Sequence, residues 1–208
     1  MTGITFYHSP NTRSTGTRIL LEELGVPYEL KLLDMKAGEQ REAAYLAINP
    51  MGKVPAIRHG DALVTEQVAV FIYLADLFPE AGLAPAPGDP LRGPYLRWIA
   101  YYGSCFEPAI LDKALAREPA PRAMCPYGDY DTMLQTLVDR LARGPYILGE
   151  RFSAADVLWG TALGWTTMFK LVPELPELTA YMGRVNSRPS VARVRALDAE
   201  LAEVPKTA

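Results

Sequence analysis

What this sequence is short of narrows it first. It carries two histidines, His8 and His59, and two cysteines, Cys105 and Cys125. Two imidazoles are too few for a histidine-based metal site, and the two thiols fit neither a CxxC redox pair nor zinc-ligand spacing. Lysine and arginine (21) nearly balance aspartate and glutamate (24), and the net charge of −3 gives no electrostatic reason to bind nucleic acid or an anionic membrane. No run approaches the ~20 apolar residues that a membrane span needs. The opening Met1-Thr2-Gly3-Ile4-Thr5-Phe6 lacks a basic segment and a long apolar segment, so no signal peptide is expected. A reducing, cytoplasmic location follows as the expectation, with both cysteines as small, partly buried side chains. Internal repeats and low-complexity tracts are also missing.

What is present is an ordinary globular composition. Of 208 residues, 49% are hydrophobic and 22% charged, enough for one large domain or two small ones. Ile4–His8 alternates as a strand. Ser9-Pro10-Asn11-Thr12 is turn chemistry, and from about Thr12 or Ser14 to Leu24 the pattern is helical, with Gly25 placed to end the helix. Pro27 to Leu33 reads as a second strand, parallel to the first because the connection is long. Glu39–Ala47 is a short polar helix. Val54–Ile57 and Ala62–Val64 form a hairpin about His59-Gly60-Asp61, and a helix runs from about Glu66 to Phe78.

The proline-rich stretch 79–90 is the best linker in the chain. Beyond it only helices are predicted: about 91–117 with Gly103 and Pro108 as kink points, 127–142, 153–169, 175–185 and 190–201. Ser153 and Asp156 form a capping box, with Phe152 and Val157 placed for a hydrophobic staple. The expected organisation is an α/β domain at 1–79 in the order β-α-β-α-β-β-α, a linker at 80–90, and an all-helical domain at 91–208.

The stretch Asn49-Pro50-Met51-Gly52-Lys53-Val54-Pro55, the helix start Thr65-Glu66-Gln67, the Ser153/Asp156 box and the run from Tyr7-His8-Ser9-Pro10 to Leu24-Gly25-Val26-Pro27-Tyr28 together resemble the cytosolic glutathione S-transferase family, bacterial type. The resemblance covers essentially the whole chain. It implies a thioredoxin-like N-terminal domain, a helical C-terminal domain, glutathione as co-substrate without a metal, a small apolar electrophile as second substrate, and a homodimer. Exposed Tyr95 and Trp98 would need cover from such a partner.

The resemblance also implies roles for particular residues. Pro55 would be cis, so that Val54 offers its backbone N–H and C=O to the extended peptide as an added strand would. Glu66 and Gln67 lie at a helix N-terminus, which favours an anion. Gln67 corresponds to the residue that binds the γ-glutamyl carboxylate, and Glu66 faces the amine. Glu66 also complements the helix dipole whatever it binds. Lys53 would reach the glycyl carboxylate, or is simply a solvated loop lysine.

The thiol needs activation. A free thiol has a pKa of ~8.5, and lowering it by ~2 units takes roughly 2.7 kcal/mol of preferential thiolate stabilisation. The Cys of one bacterial class falls on Arg13 here, so the activating hydroxyl is sought at Thr12, Ser9, Ser14 or Tyr7, with Asn11 as an amide donor. Ser9 and Ser14 read equally well as turn and capping residues, and Tyr7 as a core residue. Tyr102, Phe106 and Trp165 are pocket candidates for the electrophile, Trp159 is expected in the core, and Arg184, Arg188, Arg193 and Arg195 read as a solvated basic face. A glutathione-dependent disulfide reductase and a non-catalytic glutathione-binding scaffold remain as alternatives.

Overall fold

Alternation places Ile4, Phe6 and His8 on one buried face of a strand, with Thr5 and Tyr7 half-buried on the other, and β1 (Ile4–His8) has this form. The structure, a computed structural model, describes residues 3–203. After β1 come α1 (Ser14–Leu24), β2 (Tyr28–Leu32), a 3-10 turn at Glu39–Arg41, the short α2 (Ala43–Leu46), β3 (Ala56–His59), β4 (Ala62–Val64) and α3 (Gln67–Leu77). The sheet order is β2-β1-β3-β4. β2 runs parallel to β1, with Ile4 opposite Tyr28, whereas β3 is antiparallel to β1 and β4 to β3. This is the thioredoxin-like arrangement. Phe6, Ile57, Leu20, Leu21, Phe71 and Leu74 are wholly buried between the sheet and helices α1 and α3.

The chain divides into two compact units, one taking it up to Ala81 and again from Arg188 onward, the other Gly82–Ser187. From the sequence, 91–208 reads as one helical domain; α9 (Pro189–Glu203), which packs on α1, falls in the first of these two units. α9 buries Val191 and Val194, and charge pairing between distant residues accompanies the packing. Arg188 Nε and Nη2 donate to Glu23 Oε1 and Oε2 at 2.7 and 2.6 Å, and Arg193 Nη1 lies 3.3 Å from Glu22 Oε2. Burial raises the Glu23 carboxyl, but hydrogen bonds from Arg188 and Ser190 outweigh it and leave Glu23 below its ordinary value. Of the arginines expected on a solvated face, Arg193 and Arg195 are exposed, whereas Arg188 is half-buried on Glu23 and Arg184 Nε donates to the Pro145 carbonyl at 3.0 Å.

In the second unit the proline-rich stretch is anchored. Arg151 Nη2 donates to the carbonyls of Gly82 and Ala84 at 3.2 and 3.1 Å, and Arg92 Nη1 to that of Pro85 at 3.0 Å. The long helix expected at 91–117 is α4 (Arg92–Tyr101), one π-helical turn at Tyr102–Phe106, and α5 (Glu107–Ala114). The Glu107 N–H bonds to the Tyr102 carbonyl, five residues back. Pro108 has no N–H for the Ser104 carbonyl, so the wider spacing falls just ahead of it.

α6 (Tyr130–Leu141), α7 (Ala154–Met168) and α8 (Pro176–Asn186) complete this unit. Its centre is Trp159, wholly buried, with the rings of Trp98, Tyr102 and Phe106 at 6.0, 5.7 and 5.0 Å. Tyr95 and Trp98 are buried at 0 and 3% exposure, so they need no cover from a partner. Cys105 and Cys125 are free, half-buried thiols. Among the described residues no helix is long and apolar enough to cross a membrane.

Candidate functional site

The loop ahead of β3 is fixed by side chains from its own beginning and from α2. The Lys53 carbonyl accepts the Tyr45 hydroxyl at 2.6 Å and Asn49 Nδ2 at 2.8 Å, and Asn49 Oδ1 takes the Met51 N–H at 3.0 Å. Burial pushes the Tyr45 hydroxyl up to about 12, so it stays a neutral donor at any working pH. Gly52 has φ +59, and a Cβ there would lie 2.7 Å from the Gln40 carbonyl oxygen, so the turn admits only glycine without rearrangement. The loop ends in a cis Val54–Pro55 peptide bond. Among the described residues the Val54 N–H and C=O have no backbone partner in the loop or the sheet. Lys53 is exposed beside them.

Continuing the β3–β4 register, in which Ile57 faces Val64, brings Glu66 across from Pro55. Glu66 takes φ 63 and ψ 115, a conformation that costs a non-glycine residue about 1–3 kcal/mol and is held only where surrounding contacts over-determine it. Its carbonyl accepts the Val70 N–H at 2.9 Å, the first bond of α3, so the N–H groups ahead of Val70 have no carbonyl one turn back. Gln67 Nε2 donates to the Arg13 carbonyl at 3.0 Å and ties the start of α3 to the start of α1. The loop, the α3 start and the α1 start therefore lie together. A backbone edge beside a helix N-terminus suits an extended peptide carrying a carboxylate.

The four hydroxyl candidates separate by burial. Ser14 is wholly buried, and Ser9 is 6% exposed. Ser14 Oγ receives the Ser9 N–H at 3.2 Å and lies 3.1 Å from the Ser9 carbonyl, so both residues build the turn that starts α1. Tyr7 faces the other side of the sheet from Ser14, its ring 5.8 Å from that of Tyr45, which removes it from the α1 start. Thr12 is half-buried and Asn11 exposed, in a left-handed conformation with φ 58. Thr12 Oγ1 donates to the Ser9 carbonyl or to Ser14 Oγ, each at 2.7 Å, and receives the Ser14 N–H at 3.2 Å. Of the four residues, only Thr12 is both at the helix start and partly exposed.

Behind this turn sits a buried cluster that sequence reasoning missed. His8, wholly buried, places Nδ1 2.8 Å from Ser14 Oγ and Nε2 3.1 Å from Asp198 Oδ1. Asp198 also accepts from Arg18 Nη1 at 2.7 Å and Thr15 Oγ1 at 2.7 Å. Burial raises the Asp198 carboxyl, but hydrogen bonds from His8, Thr15 and Arg18 overcome that and hold it below its ordinary value. Nothing in the pattern of residues 8–18 points to a residue 190 positions away. Asn49 was more legible, because it opens the punctuated loop, whereas Tyr45 was not singled out.

On the helical unit, Tyr102 and Phe106 are not pocket residues. They are 2 and 0% exposed against Trp159, which carries the core as expected, and the Tyr102 hydroxyl bonds Glu107. Trp165 is half-buried, 6.4 Å from the largely exposed Phe169. Among the described residues no group of three His, Cys, Asp or Glu side chains is placed to hold a metal ion.

Known proteins share this architecture. The family profile "Glutathione S-transferase, N-terminal domain" matches residues 1–76, and "Glutathione S-transferase, C-terminal domain" matches residues 127–184. Glutathione S-transferase GstA of Escherichia coli O157:H7 is 32% identical over 190 residues, covering 89% of this chain and 94% of that protein. The crystal structure of a glutathione transferase from Methylococcus capsulatus superposes with a TM-score of 0.78 at 31% identity, covering 95% of this chain and 99% of the other. A sphingomonad glutathione S-transferase, solved in complex with glutathione, gives 0.77 at 29% identity over 94% of this chain and 98% of its own. With the cis-proline loop, the strained α3 start and these likenesses over nearly its whole length, the chain belongs to the glutathione S-transferase family.

Proposed function

We propose that this protein is a glutathione transferase that holds glutathione along the 49–55 loop, stabilises its thiolate and adds it to a small apolar electrophile. The observation that carries this reading is the pair of Val54 backbone groups without a backbone partner, set beside the α3 N-terminus. Val54 N–H and C=O pair with the cysteinyl backbone of the ligand. The α3 N-terminus and Gln67 take the γ-glutamyl carboxylate, Glu66 faces the amine, and Lys53 meets the glycyl carboxylate. The sphingomonad relative of the same fold binds glutathione, which supports the assignment.

In this arrangement Thr12 meets the thiol. It lies at the start of α1, where the helix dipole favours an anion and its hydroxyl donates to the thiolate, with the Asn11 amide beside it. Bringing a thiol pKa from ~8.5 to ~6.5 requires roughly 2.7 kcal/mol, within reach of one charge-assisted hydrogen bond plus the helix terminus. Of the aromatic residues proposed for the electrophile, Trp165 alone keeps accessible surface.

The test is calorimetric titration with glutathione, followed by turnover with 1-chloro-2,4-dinitrobenzene and with a disulfide substrate. Saturable glutathione binding and conjugation are expected. Turnover of the disulfide alone would make the protein a reductase, binding without turnover of a broad electrophile panel would make it a scaffold, and no binding would overturn the assignment of Val54, Glu66 and Gln67. The homodimer is a further expectation, checked by light scattering.

A further inference from the structure

The buried cluster behind Thr12 has the donor and acceptor order of a proton wire. Asp198 Oδ1 is an acceptor, so His8 Nε2, 3.1 Å away, carries the hydrogen between them. A neutral imidazole protonated at Nε2 is an acceptor at Nδ1, and Ser14 Oγ stands 2.8 Å from it. Ser14 then donates to His8 in preference to the Ser9 carbonyl, the longer contact at 3.1 Å, and its oxygen is left to accept. It receives the Ser9 N–H at 3.2 Å and faces the Thr12 hydroxyl at 2.7 Å. The sequence Thr12 to Ser14 to His8 to Asp198 is unbroken. Its inner end is sealed, with His8 and Ser14 both wholly buried, and its outer end is the half-buried Thr12.

We propose that His8 is the base that takes up the thiol proton of bound glutathione, delivered through Thr12 and Ser14, and that Asp198 is its positioning residue. The inference rests on the reading that Thr12 meets the thiol. Three bonds break and three form: the S–H proton passes to Thr12 Oγ1, the Thr12 proton to Ser14 Oγ, and the Ser14 proton to His8 Nδ1. The thiol becomes a thiolate and His8 an imidazolium facing the Asp198 carboxylate. No proton enters solvent, and each hydroxyl ends neutral.

The charged groups around His8 bear on this in both senses. Asp198 from α9 favours the imidazolium. Arg18 from α1, on the same carboxylate oxygen at 2.7 Å, opposes it by sharing that charge, and Tyr28 from β2 accepts the Arg18 Nε–H at 3.2 Å. The Phe6 ring, 5.3 Å from His8, excludes water from the remaining side.

The wire is tested by counting protons against thiolate. Glutathione is added to the protein near neutral pH in weak buffer with an indicator dye. Thiolate is read from its ultraviolet absorbance, and S-methylglutathione, which has no thiol proton, supplies the correction for other groups. If His8 keeps the proton, the wild-type protein forms thiolate with little proton release. Ser14→Ala cuts the wire but leaves the His8–Asp198 and Arg18–Asp198 bonds, so it avoids the folding risk of replacing His8 or Asp198. It should raise the bound-thiol pKa by about one unit, a tenfold fall in the thiolate-to-thiol ratio, and the thiolate that remains should appear with about one proton each.

His8→Asn should match Ser14→Ala, and Thr12→Ser should restore what Thr12→Val loses. Release of about one proton per thiolate in the wild-type protein overturns the wire while leaving Thr12 and glutathione binding in place. An unchanged thiol pKa in Thr12→Val overturns the Thr12 reading and the wire with it. An equal loss of S-methylglutathione affinity in Ser14→Ala, with no change in thiol pKa, assigns Ser14 to the turn alone and overturns the wire.

Discussion

Asp156 offers the sharpest test of what holds the helical unit together. Its Oδ1 accepts the Ile147 N–H at 2.7 Å and the Tyr181 hydroxyl at 3.0 Å, and its Oδ2 accepts the Ser153 N–H at 2.8 Å and the Ser153 hydroxyl at 3.0 Å. One carboxylate thus serves the loop before α7, the α7 cap and the buried face of α8. Asp156→Ala takes the carboxylate from four donors on three residues no more than 1% exposed, Ile147, Ser153 and Tyr181, of which the Tyr181 hydroxyl alone keeps a second acceptor, the residue-156 carbonyl at 3.4 Å. An orphaned buried donor costs about 1–3 kcal/mol, so the substitution should remove roughly 3–6 kcal/mol, most of the stability of an ordinary domain. Asp156→Asn keeps one acceptor oxygen but turns an amide N–H₂ toward existing donors, and should cost about 1–3 kcal/mol.

Urea unfolding at neutral pH, with the slope checked for constancy, measures both variants. The pH dependence is a second constraint. Burial pushes the Asp156 carboxyl up to about 6, against the four donors that pull it down. A folded-state value above the unfolded one means that the folded protein binds the proton more tightly. The contribution of Asp156 is then greatest below about pH 4 and declines as pH rises to about 6. Relative to Asp156→Asn, wild-type stability should fall across that window. A cost for Asp156→Ala below about 1 kcal/mol, or a stability difference that climbs with pH between 4 and 6, would refute the reasoning.

Other substitutions probe separate parts of the chain. Gly52→Ala puts a methyl against the Gln40 carbonyl and forces alanine into a left-handed conformation, so stability should drop by about 1–2 kcal/mol and the glutathione Kd rise about tenfold in calorimetric titration. Gly160→Ala brings a Cβ within 2.5 Å of Val185 Cγ1 between α7 and α8; a loss of about 1–3 kcal/mol in thermal or urea unfolding is expected, largely relieved in the double variant with Val185→Ala. Asp198→Asn removes a buried carboxylate from Arg18 and His8 and should cost about 3–5 kcal/mol at neutral pH. Because Asp198 is held below its ordinary value, its stabilisation is complete above about pH 4 and lost as pH falls through the folded-state value, so acid unfolding followed by circular dichroism should show a weaker acid limb in the variant.

Local chemistry was enough to write down much of this protein. Strand alternation, the Gly25 helix end, the punctuated 49–55 loop and the Ser153/Asp156 box each act over a few residues. Periodicity and backbone preference are themselves short-range, so those features show in the order of residues. The family likewise followed from the order and spacing of such pieces. The sequence by itself therefore determined the β-α-β-α-β-β-α unit, the all-helical segment that follows, and the punctuated loop and helix start.

Only the folded chain decided the rest. Tyr102 and Phe106 have the spacing of either a core or a pocket, and packing around Trp159 settled them as core. Four hydroxyls within eight positions, Thr12 first among them, stayed open from the sequence, and burial and strand facing distinguish Thr12 from Ser9, Ser14 and Tyr7. The placement of α9 brings Arg188 to Glu23 and Asp198 to His8. Electrostatic and hydrogen-bond partners are chosen by distance in space, and a carboxylate 190 positions from an imidazole leaves no trace in either one's neighbourhood until the chain brings them to 3.1 Å.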